Sequence, residues 1–490
     1  MGIDTTHRLY KANQQLWSIM RDTIEGEHAV KGQDEVYLPR PSSSQRVIVG
    51  GVDRGELAYQ AYKTRASFVE GVRPTQQGVV GMLHRRDAEY QIAPVQYMEK
   101  MATSDGYDLA GLHRSITEEV MAVGRYGLLT DSVGVNGKPF IATYPAENIL
   151  NWRTEFVDGI EKLVSVMLLE GVEVVDEQDK YNTDLVKRYR YLTIEGDGFY
   201  RQEISTTNKE GKIVTEETVE PKVFGGKRMT EIPFQFFGSS DLRPDPNQMP
   251  LLGISRTLLG SYRNSADYEH ALYLTSLPTP VIKGMNSESS DAPNSIGPSN
   301  IWFLGADGDA KYLEFSGAGV AAQKTEIDTK LARAMQMGAT LVETSFGQPE
   351  SGEALRRRQG DKTANLVHLA KNIAEGLEQS LRYAAMFVGT KSDQIKIIPN
   401  MDFSDNKLDS QQLMALVNAW SSGAFSFETL HYNLKQGELT TLTADQERSQ
   451  IESDGPASGM GLSDEDDEDE SDESEDDNSD DDEKKDEAEA

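Results

Sequence analysis

Cysteine is absent from all 490 residues, so neither a disulfide framework nor a thiolate zinc site can be built. The seven histidines, His7, His28, His84, His113, His270, His368 and His431, are scattered without the spacing of a ligand set. The chain also lacks a GxxxxGK[ST] phosphate loop, an HExxH helix and a GxSxG turn. The residue patterns behind nucleotide hydrolysis, zinc-dependent hydrolysis and serine chemistry are therefore missing. We expect no catalytic residue, no metal and no cofactor. No apolar run approaches the length of a membrane span, and residues 1–22 are too polar for a signal peptide, so the expectation is a soluble protein made in the cytoplasm, with no membrane partner. No internal repeat is found.

Basic residues are scarce relative to acids: 49 Lys and Arg stand against 81 Asp and Glu, a net charge of −32. Residues 464–490 hold 19 of the acids against Lys484 and Lys485, a net of −17 that leaves −15 for the rest. From residue 453 onward Gly, Ser and acids take over, a composition expected to stay disordered. Either it solvates the chain or it meets a basic partner or repels DNA. At 490 residues the remainder is long enough for two or three domains with a real core.

Three stretches organise that remainder. Over residues 254–276 apolar side chains fall at Ile254, Leu258, Tyr262, Ala266, Leu272 and Tyr273, which predicts a helix ended by Pro278 and Pro280. Residues 320–344 return to helical spacing, with Ile327, Leu331, Ala334, Met335, Gly338, Leu341 and Val342 on one stripe, about 37 Å of helix. Ser345 to Glu350, sequence SFGQPE, breaks it. Ser351 is then a plausible N-cap for a third helix through Leu355, Leu366, Ile373, Leu381 and Val388, about 54 Å long. Between the first two helices lies an insert, residues 278–318, in which NIWFL (300–304) and AKYLEF (310–315) flank GADGD (305–309) as a hairpin signal.

Upstream, residues 1–50 read as a polar arm, flexible or docking, and residues 56–70, 75–86, 95–101 and 112–126 as helices. Residues 128–135, 140–144, 163–170, 187–195, 199–205, 213–219 and 232–237 read as strands, with the clearest hairpin turn at Glu195-Gly-Asp-Gly198. Downstream, a short strand at 395–399 precedes two short helices, 409–420 and 426–434, with Asp409 and Ser426 as caps. The fold class expected is α+β.

The order of helix, β-containing insert, helix, short loop and long helix resembles the stem, clip, stem, tunnel loop and long wing helix of tailed-bacteriophage portal proteins. YKTRASF (62–68), GVVGMLHRR (78–86), YGLLTDSVG (126–134) and PAENILNW (145–152) also look like one portal-like family. The resemblance covers about residues 55–435. It implies an arm (1–50), an α+β wing (51–250), stem helices (251–277 and 319–344) about a clip (278–318), a tunnel loop (345–352), a long wing helix (353–390), a helical crown (391–450) and the acidic tail (451–490). It further implies a homo-oligomeric, usually dodecameric, ring at one capsid vertex that serves genome packaging and ejection. The implied partners are further copies of the chain, the terminase large subunit, the major capsid and scaffold proteins, head-completion or tail adaptor proteins, and double-stranded DNA passing through the channel.

Candidate site residues follow from that resemblance. Ser345, Gly347, Gln348, Pro349 and Ser351 would form the constriction, or else a simple helix-to-helix turn; their uncharged polar chemistry touches a phosphate backbone without holding it. Arg356, Arg357 and Arg358 open the third helix, where positive charge opposes the helix dipole. They form a solvated or neighbour-paired basic face, or they face DNA. Trp302, Phe303, Tyr312 and Phe315 concentrate aromatics in a small insert, either as a local core or as the docking surface for partners. The acidic body disfavours tight sequence-independent DNA binding, yet suits a channel through which DNA must slide. Two other classes stand beside this reading: a different virion structural or adaptor protein, and a metal-dependent hydrolase using Asp402 and Asp405, residues that serve equally well as helix caps and turns.

Overall fold

The structure, a computed structural model, describes residues 3–134, 137–157, 159–175, 179–194, 196–207, 212–275, 279–283, 309–313, 318–342, 352–401, 403, 410–437, 439–440 and 442–454. It falls into two compact units, residues 1–403 and 404–490.

The first unit opens with α1 (Arg8–Glu25) and α2 (Glu27–Gly32), where the sequence led us to expect an arm. That expectation is corrected. Tyr10, Trp17, Met20 and Thr23 fall on one helical face and are buried in the core. Arg21 then ties α1 down, reaching Glu119 at 2.7 Å and Glu147 at 2.9 Å. The polar residues that suggested an arm line the outer side of a docked helix. Next come a small hairpin, β1 (Ile48–Val49) and β2 (Val52–Asp53), then α3 (Arg54–Arg65), α4 (Val72–Leu83), β3 (Glu89–Gln91) and α5 (Leu109–Val123). Leu109, Leu112, Ile116, Val120 and Val123 recur every three or four residues and are fully buried. Asp108 caps α5 by accepting from the Gly111 amide at 2.7 Å, and Gly124, left-handed at φ +69°, ends it. Of residues 95–101, expected as a helix, 95–99 instead form part of a 3-10 stretch, Ala93–Glu99, kinked at Val95.

Strands follow: β4 (Arg125–Ser132), β5 (Pro139–Pro145), β6 (Ile149–Val157), β7 (Ile160–Val175), β8 (Thr183–Ile194), β9 (Tyr200–Thr207), β10 (Ile213–Val219), β11 (Lys222–Val223), β12 (Lys227–Arg228) and β13 (Phe234–Gly238). They make two main antiparallel sheets, one ordered β13-β4-β5 and one ordered β10-β9-β8-β7-β6. Strand β6 carries no simple alternation because its register on β7 shifts twice, at Ile149/Asn151 and at Arg153/Thr154.

The chain then runs through α6 (Leu252–Thr275), β14 (Thr279–Lys283), β15 (Asp309–Leu313), α7 (Ala318–Val342) and α8 (Gly352–Val388), and β16 (Lys396–Ile398) closes the unit by pairing with β3. From Leu366 onward α8 buries Leu369, Ile373, Leu377, Leu381 and Ala384. It lies close on β13: an alanine methyl at Gly376 would sit 2.5 Å from the ring of buried Phe237. The second unit holds α9 (Ser410–Ser421), α10 (Phe427–Gln436) and α11 (Ala444–Asp454). Ser426 caps α10, and Thr443 and Gln446 cap α11 reciprocally, each side chain accepting from the other's amide at 3.2 and 2.9 Å. The fold is α+β, as expected.

Candidate functional site: the projecting helix pair

Helices α6 and α7 run antiparallel. An alanine methyl at Gly253 would lie 3.6 Å from Met337 Sδ, and one at Gly260 would lie 3.8 Å from Lys330, so each step forward on α6 is a step back on α7. The base of α6 is bolted into the body. Ile254, Leu258, Leu259 and Tyr262 are buried, and Thr23 Oγ1, which donates to the Ile19 carbonyl, accepts from Ser255 Oγ at 2.8 Å. Higher up, Ser265 Oγ accepts from the Ser67 amide at 3.0 Å and donates to the Ser67 carbonyl at 2.9 Å. Tyr62 then donates to Asp267 at 2.6 Å, and the Arg65 guanidinium sits 3.8 Å over the Tyr273 ring. Burial, first, and the Asp267 carboxylate push the Tyr62 hydroxyl up, which keeps it the donor.

Burial ends at Ala266. From Asp267 to Thr275 no residue of α6 is buried, which at 1.5 Å per residue is about 14 Å of helix that leaves the core while Asp267, His270 and Tyr273 still touch α3. Its partner α7 is more exposed still. Among the described side chains of α7 only Ala334 and Gly338 are buried, and Gly338 is the point where the helix presses on Thr75 of α4. Strands β14 and β15, between α6 and α7 in the chain, pair antiparallel from Thr279 with Leu313 to Lys283 with Asp309; residues 300–304, expected to pair with the second of these strands, lie outside the described residues.

The outward face of α7 is unusual for a solvated helix. Ala321, Thr325, Asp328, Ala332 and Met335 recur at alternating four- and three-residue steps, all exposed, with Met335 at 69%. The one acid of this row, Asp328, is paired with Lys324 at 3.5 Å, and beside the row Lys330 pairs with Glu326 at 3.4 Å. Beside this face an apolar cleft of about 420 Å³ opens between the start of α4 and the helix pair, lined by Val69, Pro74, Ile254, Leu258, Met335 and Ala339 among others. A spaced row of small and apolar side chains next to an apolar cleft is the chemistry of a protein contact.

Most of the sequence-derived site residues lie outside the described residues. Ser345, Gly347, Gln348, Pro349 and Ser351 lie outside the described residues, as do Trp302, Phe303, Phe315, Asp402, Asp405 and the acidic tail. Tyr312 lies on β15 in register with Pro280. Arg356, Arg357 and Arg358 fall in the first two turns of α8. Among the described residues no cluster of His, Asp and Glu is placed to hold a metal ion, and no helix is long and apolar enough to cross a membrane.

Sequence reasoning passed over a second feature, a polar cleft of about 480 Å³ between the two sheets. There Glu170 accepts from Tyr144 at 2.6 Å, Arg188 at 2.6 Å and Arg190 at 2.7 Å, while Arg190 also reaches Gln202 at 2.6 Å and Asp131 at 3.4 Å. Burial resists ionising Glu170, but the two arginines outweigh it and hold its carboxyl below the usual range. Asp131 is pushed up by burial. The charges are spent on one another, which makes this a brace between sheets. Its only signal in the sequence is the alternation Lys187, Arg188, Tyr189, Arg190, and the partner Glu170 emerges only once the β7/β8 register is known.

Residues 250–388, which span α6 to α8, match the profile of a family described as a domain of unknown function, DUF4055. No curated protein matches the chain. Among solved structures, the chain is similar to one from "Neck of native GTA particle computed with C12 symmetry", at 11% identity over 82% of this chain and 98% of that one, TM-score 0.37. Others come from "Neck of empty GTA particle computed with C6 symmetry" (12%, 76% and 92%, TM-score 0.37) and "Virion of native gene transfer agent (GTA) particle" (12%, 77% and 88%, TM-score 0.37). At that TM-score the likeness carries no argument about this chain.

Proposed function

We propose that the chain is a portal-type subunit: copies of it close into a ring whose projecting helix pairs stand side by side around a channel for double-stranded DNA. The observation that carries the reading is α7, a 25-residue helix that a deeply rooted neighbour holds out from the body while only two of its described residues are buried. An isolated polypeptide gains little from such a helix, because most helical stability comes from packing an apolar face. Around a ring, the outward row of Ala321, Thr325, Ala332 and Met335 meets the α6 side of the next copy, a head-to-tail contact that closes by rotation. The order of elements supports the same reading, as does the body's net charge of −15, which lets DNA slide without binding.

On this reading the loop at residues 345–352, which but for Gly352 lies outside the described residues, would supply the channel's constriction, and the insert at 278–318 would dock the packaging motor and later the head-completion or tail proteins. ATP hydrolysis belongs to the motor partner, in keeping with a sequence that carries no phosphate loop. Because the chain has no cysteine, the test is direct. Cysteines replacing exposed Arg263 on α6 and Ala332 on α7 are joined by a short bismaleimide. A ladder that climbs well past dimer to a final band supports the ring, and a reaction that stops at dimer contradicts it.

A further inference from the structure

The β1/β2 hairpin leads directly into α3, whose N-cap is its last residue, Asp53. Gly50 and Gly51 make its turn with φ of +61° and +83°, the mirror-image geometry that matches strand twist. Val49 pairs with Val52, and Ile48 pairs with Asp53. Val47, Ile48, Val49 and Val52 are 54%, 72%, 45% and 63% exposed. Successive side chains of a strand point to opposite faces, so this tip is apolar on both sides and projects instead of packing. A hairpin two residues long has little stability of its own.

Its base, in contrast, is held rigidly. Arg40, with a side chain only 6% exposed, binds Glu35 at 2.8 Å and Asp53 at 3.2 Å and also engages Glu56. Asp53 in turn accepts from the Gly55 amide at 3.0 Å, capping α3, and from the Val47 amide at 3.3 Å. The polar side of the hairpin is thus locked to α3 and the apolar tip is presented ready-made, which lowers the entropy cost of docking it.

The same unit carries the apolar cleft beside α7. The geometry points to the hairpin of one copy inserting into the α4/α6/α7 cleft of the next. This assignment rests on the ring reading and names the contact that closes it. A convex apolar tip and a concave apolar cleft at different places on one chain form a head-to-tail pair, which generates rings. Size agrees: a dry apolar cavity of about 150 Å³ takes one benzene ring, so about 420 Å³ receives two or three branched side chains. The tip cannot serve its own cleft, because α3, about 18 Å of rigid helix, stands between the hairpin and the Ser67 to Ser265 junction above the cleft. One such knob buries far less than the roughly 1,600 Å² of a standard interface. The contact therefore adds to the α6/α7 packing and does not by itself hold a dimer.

The test uses the full chain. Ile48→Asp with Val52→Asp, both at exposed positions, and separately Val69→Glu on the rim of the cleft, away from the α7 row, are each expected to leave thermal unfolding unchanged and to raise the concentration needed for ring assembly by roughly tenfold or more. Cysteines at Ile48 and Met335 are expected to crosslink between copies and not within one. Rings that assemble at the wild-type concentration in all three substitutions, with no crosslink between those cysteines, overturn the hairpin assignment and leave the ring standing. A wild-type chain that never passes dimer overturns the ring and, with it, the docking of this hairpin.

Discussion

Acid should loosen the body before it touches the carboxylates, through one pair of histidines. His84, just past the end of α4, and His113 on α5 meet edge to face with ring centroids 4.9 Å apart. Thr117 donates to the His113 carbonyl at 2.9 Å, so its hydroxyl accepts from His84 Nε2 at 2.8 Å; Tyr90 on β3 lies 3.1 Å from His113 Nδ1. Ala370 and Ile373 of α8 close the site, along with Asn400. Burial, then the charge of Arg114, lowers His84 to about 4, with Asp87 opposing, while burial, then His84, lowers His113 to about 3.

Both folded values lie below the usual 6.5, so the unfolded chain binds these protons first. The stability contributed by the neutral pair is complete above pH 6.5 and is lost as pH falls toward the folded values. Between pH 7.5 and 5.5 a fully buried histidine loses about 1.4 kcal/mol. His84 keeps some contact with solvent, so the pair together loses about 2 kcal/mol. With an unfolding entropy of about 2.1 cal/mol/K per residue over a unit of this size, Tm should fall by about 2 to 3 °C. Scanning calorimetry at the two pH values measures it, and His113→Gln, which keeps a partner for Tyr90, should remove about half of the fall. An unchanged wild-type Tm, or a fall that His113→Gln leaves intact, refutes the reasoning.

Three further outcomes are expected. Gly376→Ala drives a methyl into Phe237, an overpacking cost of about 1–3 kcal/mol offset by about 1 kcal/mol of helix propensity, so the denaturant midpoint should drop by the equivalent of about 1 kcal/mol with the slope unchanged. Glu170→Ala leaves Arg188 without its partner and Arg190 with only Asp131 and Gln202; chemical denaturation should show a loss of about 3 kcal/mol, whereas Arg114→Ala, at an exposed helix pair, should cost under about 0.5 kcal/mol. Deleting residues 347–350 should leave ring assembly intact while lowering the DNA content of particles; rings that fail to assemble would show this segment to be a structural turn.

The parts of the fold that rest on period were legible in the sequence. The three helices at α6, α7 and α8 lie within a few residues of their expected bounds, because apolar spacing and the breaks at Pro278 and Pro349 report local conformation. Strands β4, β5 and β7 to β10 also fall where alternation placed them, though β7 and β8 run longer at their polar ends. What failed was long-range. Helix α1 looked like an arm because four buried side chains in 18 residues hardly change a polar composition, and much of what packs on it, α4, α5 and α6, lies over 40 residues away. Strand β6 was hidden by its register shifts, and the Glu170 brace by its dependence on which strands pair. At the site, helical periodicity marked the apolar stripe of α7 but could not say that Met335 on that stripe stays exposed while Gly338 is buried; only the position of α4 decides it.

The central claim is that α7 is covered by a second copy of the chain, and the most direct measurement is native mass spectrometry of the purified protein with class averages from the same sample. The account predicts a closed ring of one subunit number, about twelve, with a central channel. A monomer or dimer that persists at high concentration, with the α7 amides exchanging hydrogen as fast as an unprotected helix, would contradict it.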